Sequence, residues 1–92
     1  MPGKGMRKRR FDDGRIWTTF GDGRQRWQLP NGQVEVTFRS GSKEVRFPDG
    51  RVSMTDIQGL VRTIYPDGRE VWVMKSGTRS TFFLDGRMVL EI

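Results

Sequence analysis

Five aspartates stand directly before a glycine, and their carboxylates are the first groups in this chain that could do chemistry. They lie at positions 13, 22, 49, 67 and 85. Two carboxylates held close together can act as general acid and general base, but aspartate is also a preferred residue of tight turns. We therefore expect all five to be turn residues, alternating between the two ends of the strands, with no catalytic role.

Histidine and cysteine are both missing from the 92 residues. Their absence excludes a Ser-His-Asp triad, a thiol nucleophile and the commonest metal ligands. The sequence therefore predicts a protein that is not an enzyme, with no metal site and no cofactor.

Aromatic residues and arginines recur around the same glycines, with the ring three positions before the glycine and the guanidinium one position after it. The pairs are Phe11–Arg15, Phe20–Arg24, Phe47–Arg51, Tyr65–Arg69 and Phe83–Arg87. A guanidinium held over a ring contributes about 0.5–1 kcal/mol at an exposed site. Whether the pairs meet depends on the elements that carry them.

Glycine recurs every nine residues along the whole chain, at positions 5, 14, 23, 32, 41, 50, 59, 68, 77 and 86. The segments between glycines are short and rich in β-branched and aromatic residues, which is typical of strands, and each repeat is one structural unit. The period predicts an all-β meander of ten strands, at 6–11, 15–20, 24–29, 33–38, 42–47, 51–56, 60–65, 69–74, 78–83 and 87–92.

Proline decides the type of turn between the strands. A two-residue turn would need a backbone N–H from the residue that is Pro30, Pro48 or Pro66 in three repeats, and proline has none. A three-residue loop fits, with proline second in a type I turn and glycine in the left-handed position of a G1 bulge. In this register each ring lies directly opposite its arginine.

The same register distributes apolar residues over both faces of the sheet. One face carries Trp27, Leu29, Val45, Phe47, Val61, Tyr65, Thr81 and Phe83; the other carries Ile16, Phe20, Val34, Val36, Phe38, Val52, Met54, Trp72, Met74, Met88, Leu90 and Ile92. Because neither face is clearly the inside, we expect an open single-layer sheet, stabilised by cross-strand pairs and turns. The alternative is a β-sandwich or barrel with one buried face.

The net charge of +6 resides mostly in the first ten residues, which hold five of the seventeen cations. We divide the chain into a basic arm or frayed first strand at 1–10 and a repeat domain at 11–92. The arm has the composition of a site for phosphate backbones or acidic lipid, or of a solvated strand. No apolar run is long enough to cross a membrane.

Exposed rings on the first face form the candidate binding site. Its residues are Trp17, Trp27, Glu35, Phe47, Arg51, Tyr65 and Arg69. Proline rings pack well on aromatic rings, and a polyproline-type segment has little entropy to lose on binding. The alternative is that these rings only shield the sheet. Rings with basic residues also suggest a nucleic-acid platform, which the near-neutral body makes the weaker hypothesis.

The repeat resembles the T-complex-protein C-terminal domain, the glycine-repeat G-box of the CPAP family of centriole-assembly proteins. FPDGRV at 47–52, YPDGRE at 65–70 and LPNGQV at 29–34 carry the resemblance, and 56–58 depart from the pattern. The resemblance implies a single-layer meander, a cytoplasmic location at the centriole or centrosome, and binding of a proline-containing segment of a STIL/Ana2-like scaffold partner. It also implies end-to-end self-association.

The two outermost strands leave backbone groups unpaired. The first is rich in Lys and Arg, whereas the last carries Met88, Leu90 and Ile92. The last strand is therefore the candidate edge for homo-oligomers, and a structural polymerising repeat protein is a further hypothesis for the function.

Overall fold

A computed structural model describes residues 5–92, which form one antiparallel sheet of ten strands in sequential order. The strands are β1 (Arg7–Arg10), β2 (Ile16–Thr19), β3 (Gln25–Gln28), β4 (Val34–Thr37), β5 (Lys43–Arg46), β6 (Val52–Thr55), β7 (Val61–Ile64), β8 (Glu70–Val73), β9 (Arg79–Phe82) and β10 (Met88–Glu91). Strands β1 and β10 do not pair with each other, so the sheet is open. The predicted single-layer meander is confirmed, and the sandwich or barrel alternative is wrong.

Each strand is four residues long, two residues shorter than the segments predicted from the glycine period. The flanking residues still meet across each turn through one backbone hydrogen bond, such as that from Phe11 N–H to the Arg15 carbonyl at 2.9 Å. The G1 bulge that follows breaks the regular ladder. The outer residue at each end therefore belongs to the turn.

Burial is confined to the middle of the sheet. Val71, at 5% exposure, is the one buried apolar residue in 5–92, and Thr18 is the most buried residue at 2%. Ser80 and Thr81 are the other buried residues, and all four occupy the two central positions of their strands. A single layer has no second sheet to cover it, so only the midline is shielded, by long side chains from the flanking positions.

The sheet is long and twisted. It extends 47 × 26 × 22 Å with a Cα radius of gyration of 16.1 Å, whereas a compact domain of this length has a radius of about 12 Å. Ten strands spaced at about 4.8 Å account for the long axis. Because neighbouring strands are rotated by the right-handed twist, the thin sheet has similar extents of 26 and 22 Å along the two shorter axes.

Candidate functional site

The nine turns that join the strands share one geometry. In the first, Gly14 N–H donates to the Phe11 carbonyl at 3.0 Å, and the glycine of every turn has φ between 91° and 97°. The two backbone bonds of each turn measure 2.8–3.1 Å throughout residues 5–92. These are type I turns closed by a G1 bulge, so the loop predicted from the prolines is confirmed.

The aspartates before glycine hold these turns together. Asp13 Oδ1 accepts the Arg15 N–H at 3.0 Å while Oδ2 accepts the Arg15 Nε–H at 2.7 Å, and Asp49 does the same with Arg51. The backbone N–H of Arg15 is the main reason that the pKa of Asp13 lies below its ordinary value, and the arginine side chain adds to it. Because both carboxylate oxygens of Asp13 and Asp49 are hydrogen-bonded within the turn, we assign these aspartates a structural role there.

The expected alternation of the five aspartates between the two ends of the strands is wrong. Asp13, Asp49, Asp67 and Asp85 all lie in turns at the same end, because they are separated by multiples of two nine-residue repeats. We call this the proline end, since the turns containing Pro30, Pro48 and Pro66 also lie there. Within residues 5–92, no group of three or more acidic side chains is placed to hold a metal ion.

All five aromatic–arginine pairs meet as the register predicted. The distance from guanidinium carbon to ring centroid is 5.0 Å for Phe11–Arg15, 4.4 Å for Phe20–Arg24, 4.3 Å for Phe47–Arg51, 4.2 Å for Tyr65–Arg69 and 4.7 Å for Phe83–Arg87. The opposed positions across each turn bring ring and guanidinium together. Each of these arginines therefore places its guanidinium over the ring of its own pair.

Four of these pairs line up along the proline end on one side of the sheet, which we call face A. With the equivalent residues of the β3–β4 turn they form the aromatic–arginine row: Phe11, Arg15, Leu29, Gln33, Phe47, Arg51, Tyr65, Arg69, Phe83 and Arg87. The fifth pair, Phe20–Arg24, lies at the other end on the opposite side, face B. Face A thus presents a nearly continuous row of rings and cations along the long axis.

A cluster of stacked rings occupies face A at strands β1–β3. Trp17 and Trp27 face each other across the ladder with centroids 5.9 Å apart, and Phe11 stacks on Trp27 at 5.5 Å. Arg15 lies over Trp27 at 5.3 Å, so the cluster joins the aromatic–arginine row. Glu35 is opposite Trp27 on β4 and accepts a 2.8 Å hydrogen bond from Gln33.

The seven predicted site residues all lie on face A, but in two patches. Trp17, Trp27 and Glu35 are in the middle of strands β2–β4, whereas Phe47, Arg51, Tyr65 and Arg69 belong to the row beside strands β5–β8. The site prediction omitted Phe11, Arg15, Phe83 and Arg87, which extend the row to both ends of the sheet. Phe83 and Arg87 lie 18 residues after Tyr65 and Arg69, and Phe11 and Arg15 lie 36 residues before Phe47 and Arg51, so the repeat period was the available signal.

Neighbouring turns at the proline end pack against one another. A Cβ placed on Gly50 would lie 3.0 Å from Pro66 Cγ, and one on Gly14 would lie 3.3 Å from Pro30 Cγ. Gly68 has the same relation to Leu84, at 2.7 Å. Each turn therefore rests on the glycine of the turn two strands earlier, which fixes the spacing of the rings in the row.

Arg69 differs from its counterparts in the row. Asp67 accepts its backbone N–H at 2.9 Å, but the guanidinium forms no ion pair within residues 5–92, unlike those of Arg15, Arg51 and Arg87. A shallow groove of about 340 Å³ lies beside it, lined by Asp67, Arg69, Phe83, Leu84, Asp85 and Arg87. Arg69 is thus a cation without an ion pair in residues 5–92, beside a groove and over the Tyr65 ring.

Trp72, the largest ring on face B, makes its contacts within the sheet. Trp72 donates its indole N–H to Glu70 at 3.0 Å, contacts Phe82 edge-on at 5.4 Å and lies under Arg62 at 5.3 Å. Its polar and apolar contacts are therefore both supplied by the sheet itself.

The last strand is exposed along its whole length. The side chains of Met88 and Leu90 are each 55% exposed, and Ile92 is fully exposed. The part of the chain that the structure describes contains no helix long and apolar enough to cross a membrane.

Three solved structures have the same fold. The G-box domain of the microcephaly protein CPAP, for which a role in centriole elongation is suggested, is 22% identical with a TM-score of 0.78. The Drosophila melanogaster SAS-4 (dCPAP) TCP domain, in complex with a proline-rich motif of Ana2 (dSTIL), is 22% identical with a TM-score of 0.87. The Danio rerio CPAP TCP10 domain, in complex with a STIL peptide, is 25% identical with a TM-score of 0.60.

These matches cover nearly all of the chain, at 97%, 97% and 100%, but only 69%, 60% and 67% of the respective matched chains. No curated protein matches the sequence. The sequence profile of the T-complex protein 10 C-terminus family matches residues 3–37 and 21–52, together just over half of the chain. Domains of this family are non-catalytic scaffold modules. With the nine-residue PDG repeat and the ten-stranded meander already described, the profile match establishes that the chain belongs to the T-complex protein 10 C-terminus family.

Proposed function

We propose that this chain is a protein-interaction module whose face A binds an extended, proline-containing segment of a STIL/Ana2-like centriolar scaffold protein. The fly and zebrafish relatives in complex with Ana2 and STIL peptides support this partner class. We place the protein in the cytoplasm at the centriole or centrosome, supported by the suggested role of CPAP in centriole elongation.

The spacing of rings in the aromatic–arginine row is the observation that carries the proposal. Phe47, Tyr65 and Phe83 follow strands β5, β7 and β9, so these three rings recur at about 9.6 Å along the row. A polyproline II helix completes a turn every three residues and rises about 9.3 Å in doing so. A proline-rich segment crossing the strands can therefore place an equivalent residue over each successive ring.

The arginines between the rings supply the polar half of the interaction. Arg51 is held by both oxygens of Asp49, whereas the Arg69 guanidinium has no ion pair within residues 5–92. A polyproline helix has no internal hydrogen bonds, so its carbonyls need donors. We assign Phe47 and Tyr65 as ring platforms and Arg69 as the donor to a peptide carbonyl or carboxylate. Trp17, Trp27, Glu35 and Arg51 complete the proposed surface.

The test uses a labelled peptide of repeated Pro-Ser-Glu triplets, with a control peptide of the same composition whose prolines are grouped together. Fluorescence anisotropy should give clearly tighter binding for the triplet peptide. Phe47→Ala or Tyr65→Ala should weaken it by about 1–3 kcal/mol, as loss of an anchor does. Far-UV circular dichroism establishes that each variant keeps the native sheet.

Phe38→Ala is the matched control, since Phe38 is a ring at the equivalent turn position but on face B, with 36% exposure. Its binding should equal that of the unsubstituted protein. Weakened binding in Phe38→Ala, with normal binding in both face A variants, would place the site on the opposite face.

Self-association is a second proposal, carried by β10. Met88 and Leu90 are exposed on β10, Ile92 is exposed directly after it, and β10 has one row of unpaired backbone groups. The last strand of one copy can add to an edge of another and continue the sheet. Pairing of β10 with β10 of a second copy stops at a dimer and leaves the β1 edge free.

A further inference from the structure

Strand β1 forms the second free edge of the sheet, and its sequence is Arg-Lys-Arg-Arg. It pairs on one side with β2, with Arg9 opposite Trp17 and Arg10 opposite Ile16, and has no strand on its other side. All four of its side chains are exposed. This edge adjoins the aromatic–arginine row at Phe11, whose ring lies under Arg9.

The charge of the sheet is concentrated at this edge. Residues 5–28 hold seven Lys and Arg against three Asp, whereas residues 29–92 hold nine cations against eight anions. None of the four β1 cations has an acidic partner within residues 5–92; Arg9 only lies over the Phe11 ring at 5.3 Å. The first strand is thus an edge of four consecutive unpaired cations.

The backbone of β1 offers a strand-pairing pattern to a partner. Phe11 N–H bonds to the Arg15 carbonyl, and hydrogen-bonded positions alternate along an antiparallel pair. Arg9 and Arg7 therefore bond to β2, and the N–H and C=O groups of Lys8 and Arg10 point outward. A shallow groove of about 400 Å³, lined by Arg7, Lys8, Arg9, Trp17 and Thr19, runs beside this strand.

Successive side chains of β1 point to opposite faces, so the cations extend both above and below the edge. A second β1 would bring four cations against four cations, and like charges directly opposite each other are destabilising. β10 of another copy carries a single acidic residue, Glu91, and offers three of the four cations no partner. A nucleic acid would neutralise the cations of β1 but could not pair as a strand with the outward N–H and C=O groups of Lys8 and Arg10.

We propose that the β1 edge binds an acidic, extended peptide segment of another protein by adding it to the sheet as an eleventh strand. Glutamates of the added strand lie directly opposite the β1 cations on both faces, and its backbone bonds to the outward groups of Lys8 and Arg10. This partner is distinct in its chemistry from the proline-containing segment proposed for face A.

The test measures binding of the labelled peptide Glu-Val-Glu-Glu-Val-Glu and of the same peptide with both valines replaced by proline. The charge of the peptide is unchanged. The prolines stand at the second and fifth positions, one even and one odd, so in either pairing register one of them removes an N–H that would bond to β1. We expect the proline peptide to bind at least about tenfold more weakly. Binding should protect the Lys8 and Arg10 amides from hydrogen exchange and leave those of β10 unchanged.

Lys8→Glu with Arg10→Glu should weaken the valine peptide by at least about tenfold. The matched control, Arg39→Glu with Lys75→Glu, makes the same charge change at exposed turn positions and should change binding less than about twofold. Both pairs leave the aromatic–arginine row intact, so binding of the Pro-Ser-Glu peptide should persist in both.

Three results would overturn the proposal. The first is equal binding of the two acidic peptides, which would reduce the effect to charge attraction alone. The second is tighter binding of oligo-dT at the same cations without protection of the amides, which would make the edge a phosphate site. The third is protection of Lys8 and Arg10 that rises with protein concentration in the absence of peptide, which would assign the edge to a second copy.

Discussion

Gly50→Ala tests whether contacts between neighbouring turns set the spacing of the aromatic–arginine row. Gly50 has φ of 97°, and its new Cβ would lie 3.0 Å from Pro66 Cγ, a ring atom that cannot swing aside. Gly77 is the matched control, since its φ is 96° but a Cβ there meets no atom within 4 Å. The two substitutions share the backbone strain and differ in the contact with proline.

Alanine at a left-handed position costs about 1–2 kcal/mol in either turn. In Gly50→Ala, overpacking against Pro66 adds about 1–3 kcal/mol. Since 1 kcal/mol shifts the melting temperature of a domain this small by about 4–8 °C, Gly50→Ala should melt at least about 4 °C below Gly77→Ala. Thermal unfolding followed by circular dichroism gives both midpoints.

The same contact should affect binding. Displacing the Pro66 turn moves Tyr65 and Arg69 relative to Phe47, so Gly50→Ala should weaken the Pro-Ser-Glu peptide at a temperature where it is fully folded. Gly77→Ala, at the opposite end of the strands, should bind normally. Equal melting temperatures and equal affinities in the two variants would refute the idea that turn packing positions the row.

Two further outcomes follow from the turns and the edges. Backbone N–H bonds hold the pKa values of Asp13, Asp22 and Asp49 below their ordinary value, so their stabilisation is present above the unfolded pKa of about 3.9 and is lost as the pH falls through the lower folded values. In Asp49→Asn this acid-induced loss should be smaller, as measured by urea unfolding between pH 2 and pH 6; an unchanged pH profile would contradict the assignment. Leu90→Pro removes a backbone donor from β10 and should abolish concentration-dependent association in analytical ultracentrifugation without affecting peptide binding. A protein that is monomeric at every concentration, or association that survives this substitution, would count against the β10 edge.

Much of the local structure could be predicted from the sequence because the repeat is strictly periodic. Pro48 before Asp49 and Gly50 specifies a three-residue turn, and that turn sets the register of the strands it joins. Since side chains alternate between faces with a period of two, the register then assigns every residue to a face. Ten strands, the opposed ring–arginine pairs and the shared face of Trp27, Phe47 and Tyr65 all follow from these local rules.

Contacts between elements that are not adjacent in the chain were decided only by the tertiary structure. Phe11 stacks on Trp27 from two strands away, and Pro66 packs on Gly50 across the same separation. Both contacts depend on the twist of the sheet, which accumulates from strand to strand and leaves no signature in a nine-residue repeat. Thr18 and Val71 are buried on strands that have neighbours on both sides, whereas Met88 and Leu90 are exposed on the edge strand β10. The sequence by itself determined which residues pair and which face they occupy, because those are nearest-neighbour rules. The folded sheet decided which of them pack together, because packing across two strands requires the three-dimensional shape of the whole layer.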